Sequence, residues 1–292
     1  MKIKNGATVC TKEDLFFHVE LQKEKLQCNK EYSMKVVGRI GGKRFLLNQC
    51  SDVYRLIKNV DIFPNIESAF EDNKIQYSVS YRHINHVRFY ADYVITDQKY
   101  AYTMQGTNDL IYPKLSVQHS YNGLTKYKIL FGYFRLVCTN GLTIPVAEMQ
   151  EFNLCMVGKH TEAIENSLGK LSEMLQHFAE NASVVLGAIT SKYELLNANV
   201  IDHANFNNRL TEILEASKIT MIDNANYNTV NDIVMRVNEE ANKPNLGYDG
   251  KITDWLIYNG INQYLHDDNR NIVVPEIRME KDLYVLEYML AN

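Results

Sequence analysis

Basic and aromatic residues lie close together in several stretches of the first half of the chain, and this combination can bind nucleic acid. Aromatic rings stack on bases, each stack contributing about 1–3 kcal/mol with little dependence on base sequence. Lysine and arginine contact phosphates, and these contacts weaken as salt rises. The candidate stacking residues are Tyr90, Tyr127 and Tyr133, and the candidate phosphate contacts are Arg82, Arg88, Lys126, Lys128 and Arg135. Displayed outward from one sheet, these residues would form a platform for a single strand.

The same pattern has a purely structural interpretation. The tyrosines would then be half-buried residues of a sheet, and the lysines and arginines would be their solvated neighbours. The two interpretations differ in the exposure of the rings and in whether the cations share a face.

Metal chemistry has little support in the sequence. His83 and His86 could place two imidazoles near each other, but no carboxylate or thiol follows them at ligand spacing. Asp92, Asp97 and Asp109 are the acidic residues near the predicted strands, and their spacing matches no pattern of a two-metal nuclease. We therefore predict neither a metal nor a cofactor.

The candidate nucleophile and the candidate phosphate-binding loop also have purely structural explanations. Cys138 and His119 are predicted on the two arms of one hairpin, where a cysteine–histidine pair is geometrically possible. A small buried thiol and a turn histidine are favoured instead, because no orienting acid is identified. Residues 38–42, Gly-Arg-Ile-Gly-Gly, lack the spacing of a phosphate-binding loop and fit a hairpin turn. The protein is expected to be non-enzymatic, with an enzyme acting on nucleic acid as the last-ranked possibility.

A predicted hairpin over residues 115–142 organises the first half of the chain. Its arms flank Tyr121-Asn122-Gly123, and Asn-Gly is a strong hairpin signal. Period-two alternation on the second arm places Tyr127, Tyr133 and Arg135 on one face and Lys126 and Lys128 on the other. Both faces carry apolar weight, which predicts a central strand. The other predicted strands are 32–40, 44–50, 75–83, 87–96 and 151–157, and the predicted early helices begin near Lys12, cover 52–59, and run from Pro64 to Asn73.

Near residue 160 the apolar period changes from that of strands to that of helices. Ile164, Leu168, Leu171, Leu175, Phe178, Ala182 and Val185 recur at alternating spacings of four and three, which is a heptad seam. The seam (residues 164–185) either packs within the protomer or joins copies into a homo-oligomer. Further helices are predicted at 192–198, 206–216, 229–241, 253–266 and 281–290. The predicted fold is α+β, with an N-terminal antiparallel sheet and a few helices followed by an all-helical C-terminal region.

Charge differs between the two predicted regions. Residues 1–160 contain 21 basic and 15 acidic residues, a net charge of +6, whereas residues 161–292 contain 10 and 20, a net charge of −10. We therefore predict a mildly basic mixed domain over 1–160 and an acidic helical domain over 161–292. The first could bind a polyanion, and the second could bind a protein. Chance scatter of charge over two solvated surfaces explains the difference equally well.

Several motifs resemble those of the phage/plasmid-like proteins of domain-of-unknown-function family 932. They are F-R-L-V-C-T-N-G-L at 134–142, H-S-Y-N-G at 119–123, the pair His160-Thr161, and L-N-Q-C-S-D-V-Y-R-L-I-K-N at 47–59. The resemblance covers roughly residues 35–190. It implies a mobile-element origin, most simply a phage, and it supplies no function.

Two hypotheses follow from these observations. The first is a phage-encoded, non-enzymatic protein that binds single-stranded nucleic acid and assists strand annealing or recombination. The alternative is a factor that binds a virion or host protein through the acidic helical region. The chain has no apolar run of membrane-spanning length, no secretory signal and no paired-cysteine framework, so we expect it in the cytoplasm of the host cell.

Overall fold

The computed structural model describes residues 8–25, 32–135, 140–142, 155–158, 165–219, 227–266 and 275–292. Its architecture is mixed α/β with antiparallel sheets.

The larger sheet has eight strands, and its central strands carry the candidate residues. Its main path runs β1-β5-β6-β8-β9-β10, with β7 paired to β8 and β11 paired to β9. All of its strand pairs are antiparallel. The strands are β1 (Thr8–Cys10), β5 (Tyr77–Ile84), β6 (Arg88–Ile95), β7 (Tyr102–Thr103), β8 (Leu110–Ser120), β9 (Tyr127–Arg135), β10 (Asn140–Leu142) and β11 (Cys155–Gly158). The predicted hairpin at 115–142 is therefore confirmed as β8 and β9, although β8 begins five residues earlier than predicted.

Two helices cover one face of this sheet. They are α2 (Asn59–Asp72) and α3 (Glu165–Ala198). Phe70 of α2 stacks on Tyr93 with the ring centroids 5.5 Å apart, and Phe178 of α3 stacks on Phe131 at 4.9 Å. Because side chains alternate along a strand, the odd-numbered residues of β5, β6, β8 and β9 form this helix-covered face. Burying one such phenylalanine contributes about 1.5–3 kcal/mol.

The predicted heptad seam lies within α3 and packs inside the single chain. Leu171, Leu175 and Phe178 are at most 1% exposed, and Ala182 and Val185 are also buried. Ile164 lies outside the described residues. The structure therefore supports packing of this seam within the protomer, because its buried side chains contact the sheet and the other helices. Assembly of the protein into a homo-oligomer stays a prediction.

A three-stranded antiparallel sheet lies at the end of the larger sheet where the β8–β9 turn is found. Its strands are β2 (His18–Lys25), β3 (Tyr32–Ile40) and β4 (Lys43–Cys50), in the order β2-β3-β4. The short helix α1 (Lys12–Leu15) precedes it, as predicted, and Thr11 and Asp14 form a capping box at its start. Phe17 joins the two sheets through ring contacts to Phe89 and Tyr121 at 6.2 and 5.8 Å. The β3–β4 hairpin is confirmed, and β2 was not predicted.

The C-terminal helices pack around α3 and the far end of the sheet. They are α4 (Phe206–Ala216), α5 (Tyr227–Ala241), α6 (Asp254–His266) and α7 (Pro275–Ala291), with a two-stranded sheet of β12 (Val200–Ile201) and β13 (Ile252–Thr253). Their core includes Trp255, which is fully buried and lies 5.0 Å from the ring of Tyr193 in α3.

Two fold predictions need correction. Helices and strands are interspersed rather than segregated: α2 interrupts the strands, and β12 and β13 lie among the C-terminal helices. The predicted helix over 52–59 is absent, and only its last residue is helical, as the first residue of α2. The predicted domain boundary near 160 stays a prediction, since residues 159–164 lie outside the described residues.

Candidate nucleic-acid interface

The even-numbered face of β5, β6, β8 and β9 lies opposite α2 and α3, and it gathers most of the candidate cations. Strand register aligns Arg82 with Tyr90, Gln118 and Lys128 across the four strands, and it aligns Arg88 with Ser120. The next row contains Ser80, Asp92, Ser116 and Leu130, and Lys114 pairs with Val94 and Gly132. On these four strands the even-numbered charged residues are Arg82, Arg88, Lys114, Lys128 and the single acid Asp92. The face therefore has an excess of positive charge.

Asp92 is the centre of a polar network on this face. Its carboxylate accepts a hydrogen bond from Arg82 Nη2 at 2.7 Å and one from the Ser116 hydroxyl at 2.6 Å, and Lys114 Nζ lies 3.4 Å away. Burial by itself would raise the pKa of Asp92, but Lys114 and Arg82, helped by the Ser116 hydroxyl, hold that pKa well below its usual range. Two of the four cations are thus fixed in position by one carboxylate, which neutralises only one of them.

The remaining cations lie toward the end of the sheet where β8 turns into β9. Lys126, just before β9, is exposed, whereas Lys128 and Arg88 are partly exposed. The Nε atom of Arg88 is buried and finds no hydrogen-bond partner among the residues that the structure describes. Arg88 on β6 and Lys128 on β9 flank the central strand β8 from its two sides. Gln118 and Ser120, which lie between them on β8, are buried, so a polyanion at this end would contact the solvent-accessible parts of the flanking cations rather than β8 itself.

The expectation that Tyr90, Tyr127 and Tyr133 are displayed outward is wrong. Tyr90 lies on the even-numbered face but is only 6% exposed, and Tyr127 and Tyr133 lie on the helix-covered face at 0% and 2%. Burial raises the pKa of the Tyr127 and Tyr133 hydroxyls well above their ordinary value. Rings enclosed in this way cannot stack on bases, so the structural interpretation holds for all three.

Arg135 is likewise not available to phosphates. Its guanidinium is fully buried, and its Nε donates to both carboxylate oxygens of Asp109 at 2.9 and 2.7 Å. Glu240 of α5 forms a second ion pair with it, and Trp255 lies 5.8 Å below it. Asp109 also accepts a hydrogen bond from Trp255 Nε1 at 3.0 Å and one from the Tyr248 hydroxyl at 2.8 Å. Arg135 therefore joins the sheet to the helical region.

Lys114 was not among the candidate cations predicted from the sequence. It shares the even-numbered face with Arg82 and its carboxylate partner, but it precedes the predicted hairpin, which begins at residue 115. The available signal was the alternation of the polar residues Lys114, Ser116 and Gln118 with the apolar residues between them, which extends the predicted first arm of the hairpin toward the N-terminus.

The structure also describes most of the candidate metal-ligating and nucleophilic residues. The rings of His83 and His86 stack with centroids 3.9 Å apart, and His83 Nδ1 accepts a hydrogen bond from the His86 backbone amide. Within the described ranges, no group of three or more histidine, cysteine or acidic side chains is arranged to hold a metal. His119 is fully buried between Phe89 and Tyr121, and Cys138 lies outside the described residues. The same part of the chain contains no helix long and apolar enough to cross a membrane.

The fold and the face define a mixed α/β protein whose antiparallel sheet is covered by helices on one side and carries cations on the other. The family described as domain of unknown function (DUF932) matches residues 46–285. The chain belongs to this family, as the motifs at 47–59, 119–123 and 134–142 indicated. No curated protein and no solved structure matches the chain.

Proposed function

We propose that this protein binds single-stranded nucleic acid through its phosphate backbone, with Arg88, Lys126 and Lys128 as the main contacts and Arg82 at the edge. The binding is non-enzymatic and does not use base stacking on Tyr90, Tyr127 or Tyr133. A role as an accessory to strand annealing or recombination in a phage is part of the same proposal, and it is motivated by the sequence resemblance.

One observation carries the proposal: four cations and one acid share the even-numbered face of four neighbouring strands. Asp92 offsets one positive charge, so this face keeps an excess of positive charge. Neighbouring strands are about 4.8 Å apart and residues along a strand about 3.4 Å apart, so the Cα atoms of Arg88 and Lys128, two strands and two residues apart, are separated by about 12 Å. That span allows two or more phosphates of one strand to be neutralised together.

The binding test is a fluorescence anisotropy titration of a labelled oligothymidylate at several salt concentrations. Three or four phosphate contacts predict a slope of log K against log salt of about −2 to −3, because each contact to a single strand contributes about −0.7. The variant K126Q/K128Q should reduce the size of this slope by about 1.4 and weaken binding at 0.1 M salt by roughly 25-fold.

The matched control is K170Q/K251Q, which removes two exposed lysines from outside the even-numbered face. It should bind within about twofold of the wild type, because the net charge changes equally and only the position differs. Absence of binding by the wild type at low salt would remove the proposal. Equal weakening by both double variants would show that the overall charge is responsible rather than this face.

A further inference from the structure

A cleft of about 860 Å³ lies where the second half of α3 meets the loop after β7 and the loop before β13. Its volume is within the range of about 300–1,000 Å³ that small-molecule sites occupy. Each of the three segments contributes a glycine to the wall, namely Gly187, Gly106 and Gly247, and these positions leave space open. None of the cations of the even-numbered face lines this cleft within the described residues, so it is a separate site.

Hydroxyl groups that line the cleft have already donated their hydrogens within the protein. Tyr102 donates to Glu194 Oε1 at 2.6 Å, and burial, followed by this hydrogen bond, raises the pKa of the Tyr102 hydroxyl to about 12, so the hydroxyl keeps its proton. Thr107, Thr190 and Ser191 donate to backbone carbonyl oxygens at 2.9, 2.5 and 2.6 Å. Since a hydroxyl has one hydrogen, these groups can offer a bound molecule only the lone pairs of their oxygens.

Glu194 is the acidic residue that lines the cleft. Its Oε1 accepts both the Tyr102 hydroxyl and the backbone amide of Gln105, the latter at 2.9 Å. Because both bonds hold the carboxylate through Oε1, the second oxygen, Oε2, can accept from a bound molecule. Lys251 lines the cleft as well, but its side chain is exposed and can extend its ammonium group into water. The charge fixed at the wall is therefore negative.

The C-terminal end of α3 adds to the negative potential of the cleft. Its last turn lines the cleft through Leu195, Asn197 and Ala198. The macrodipole of a helix places partial negative charge at this end, which attracts cations, and the last turn of α3 has no basic residue of its own. Leu195 and Val200, at 66% and 57% exposure, also contribute apolar surface to the lining. The cleft thus combines a negative region that accepts hydrogen bonds with an accessible apolar surface.

We propose that this cleft binds a small aliphatic amine, of the class of diamines and polyamines. An ammonium group carries three donors and no acceptor, which matches a lining of oxygen lone pairs beside one carboxylate. The flat fork of a guanidinium fits less well, because it uses both oxygens of a carboxylate, and Oε1 of Glu194 already accepts two hydrogen bonds. The methylene chain of the amine would lie against Leu195 and Val200. This inference needs no nucleic acid, so it and the proposed function can fail independently.

The experiment is isothermal titration calorimetry of the full chain with putrescine, and with butanediol as the neutral ligand of the same chain length. Putrescine should bind to the wild type, and butanediol should bind at least about tenfold more weakly, because a hydrogen bond to a charged group is stronger than a neutral one. E194Q should weaken putrescine binding at least about tenfold, because it removes the charge that faces the ammonium group. The contacts of this side chain within the protein are kept, since a glutamine Oε1 can still accept from Tyr102 and Gln105.

Two further variants decide whether the amine occupies this cleft. E215Q removes an exposed carboxylate of α4 that does not line the cleft, and it should bind putrescine within about twofold of the wild type. G187L should weaken binding at least about tenfold at unchanged charge, because a Cβ at Gly187 would meet no described atom within 4 Å apart from its own helix turns, so the leucine can occupy the cleft. Unchanged thermal melting of each variant confirms that its fold is retained. Equal weakening by E194Q and E215Q, full affinity of G187L, equal binding of butanediol, or no putrescine binding by the wild type would each overturn the proposal.

Discussion

Replacing Arg135 with methionine is expected to destabilise the protein by about 3–5 kcal/mol. Removing one partner of a buried ion pair leaves the other charge without compensation, and such changes cost this much. Here the substitution leaves two carboxylates, Asp109 at 0% exposure and Glu240 with a side chain at 7%. It also removes two hydrogen bonds from Nε to Asp109, at 2.9 and 2.7 Å. The expected loss is therefore toward the upper end of the range.

Thermal unfolding followed by circular dichroism measures this effect. For a chain of this size, about 2 °C is lost per kcal/mol, so Arg135→Met should melt roughly 6–10 °C below the wild type. Lys170→Met is the control: it removes an exposed cation of α3, and it should change stability by no more than about 0.5 kcal/mol.

A triple substitution tests the reasoning further. Arg135→Met combined with Asp109→Leu and Glu240→Met removes the stranded charges together with their partner, so it should melt above the single variant. Recovery will be partial, because the Tyr248 hydroxyl and Trp255 Nε1 lose Asp109 as their acceptor. A single variant that melts within 2 °C of the wild type would refute the argument, as would a triple variant that is less stable than the single one.

Two further predictions concern stability. Burial, and then the nearby charge of His86, lower the pKa of His83 to about 4, with Asp14 opposing them. The unfolded chain takes up this proton near pH 6.5, so the free energy of unfolding should be highest above that pH and should fall by about 1–3 kcal/mol as the pH drops toward 4. In His83→Asn the melting temperature should depend less on pH over this range than in the wild type. An equal dependence of melting temperature on pH in the two proteins would contradict the assignment. Gly260→Ala should destabilise α6 by about 1–2 kcal/mol despite better helix propensity, because its Cβ would lie 2.7 Å from a methyl of Val237. Gly187→Ala in α3 should instead stabilise by about 0.5–1 kcal/mol, because its new methyl group would have no atom of the described residues within 4 Å apart from its own helix turns. Denaturant unfolding that ranks the two alanine variants the other way would exclude this account.

Local pattern was enough to locate the central strands of the sheet. The alternation in residues 87–96 predicted β6 because period-two patterning is a property of the strand itself. The same pattern could not show which face α2 and α3 cover, because Tyr90 and Tyr93 are equally aromatic and differ only in what packs against them. Exposure of the candidate rings depended on that choice, so it could not be obtained from the strand alone.

Arg135 shows why the burial of a candidate residue could not be predicted from local pattern. Sequence placed it on the same face as Tyr127 and Tyr133, and that placement agrees with the structure. Its partners Asp109 and Glu240 are 26 and 105 residues away, however, and no local signal connects them. Whether a charged residue is buried depends on long-range contacts of this kind, whereas the face of the strand on which it lies depends only on the residues next to it in the sequence. Lys126 is exposed and Lys128 is partly exposed, because a turn and the first residues of a strand need no distant partner to reach solvent, and their role in binding stays a prediction.

The long helix α3 has a consequence for any attempt to divide the protein. Near its middle, Phe178 contacts Phe131 of the sheet, and four turns later Tyr193 contacts both Tyr133 and Trp255. The helix is kinked at Asn181, where φ is −114° and ψ is 15°, and its two parts together contact both the cation-bearing sheet and the C-terminal helices. Neither part of the protein has a complete hydrophobic core of its own, so the two parts should unfold together in a single calorimetric transition. A fragment that ends before α3 should be recovered only in aggregated form.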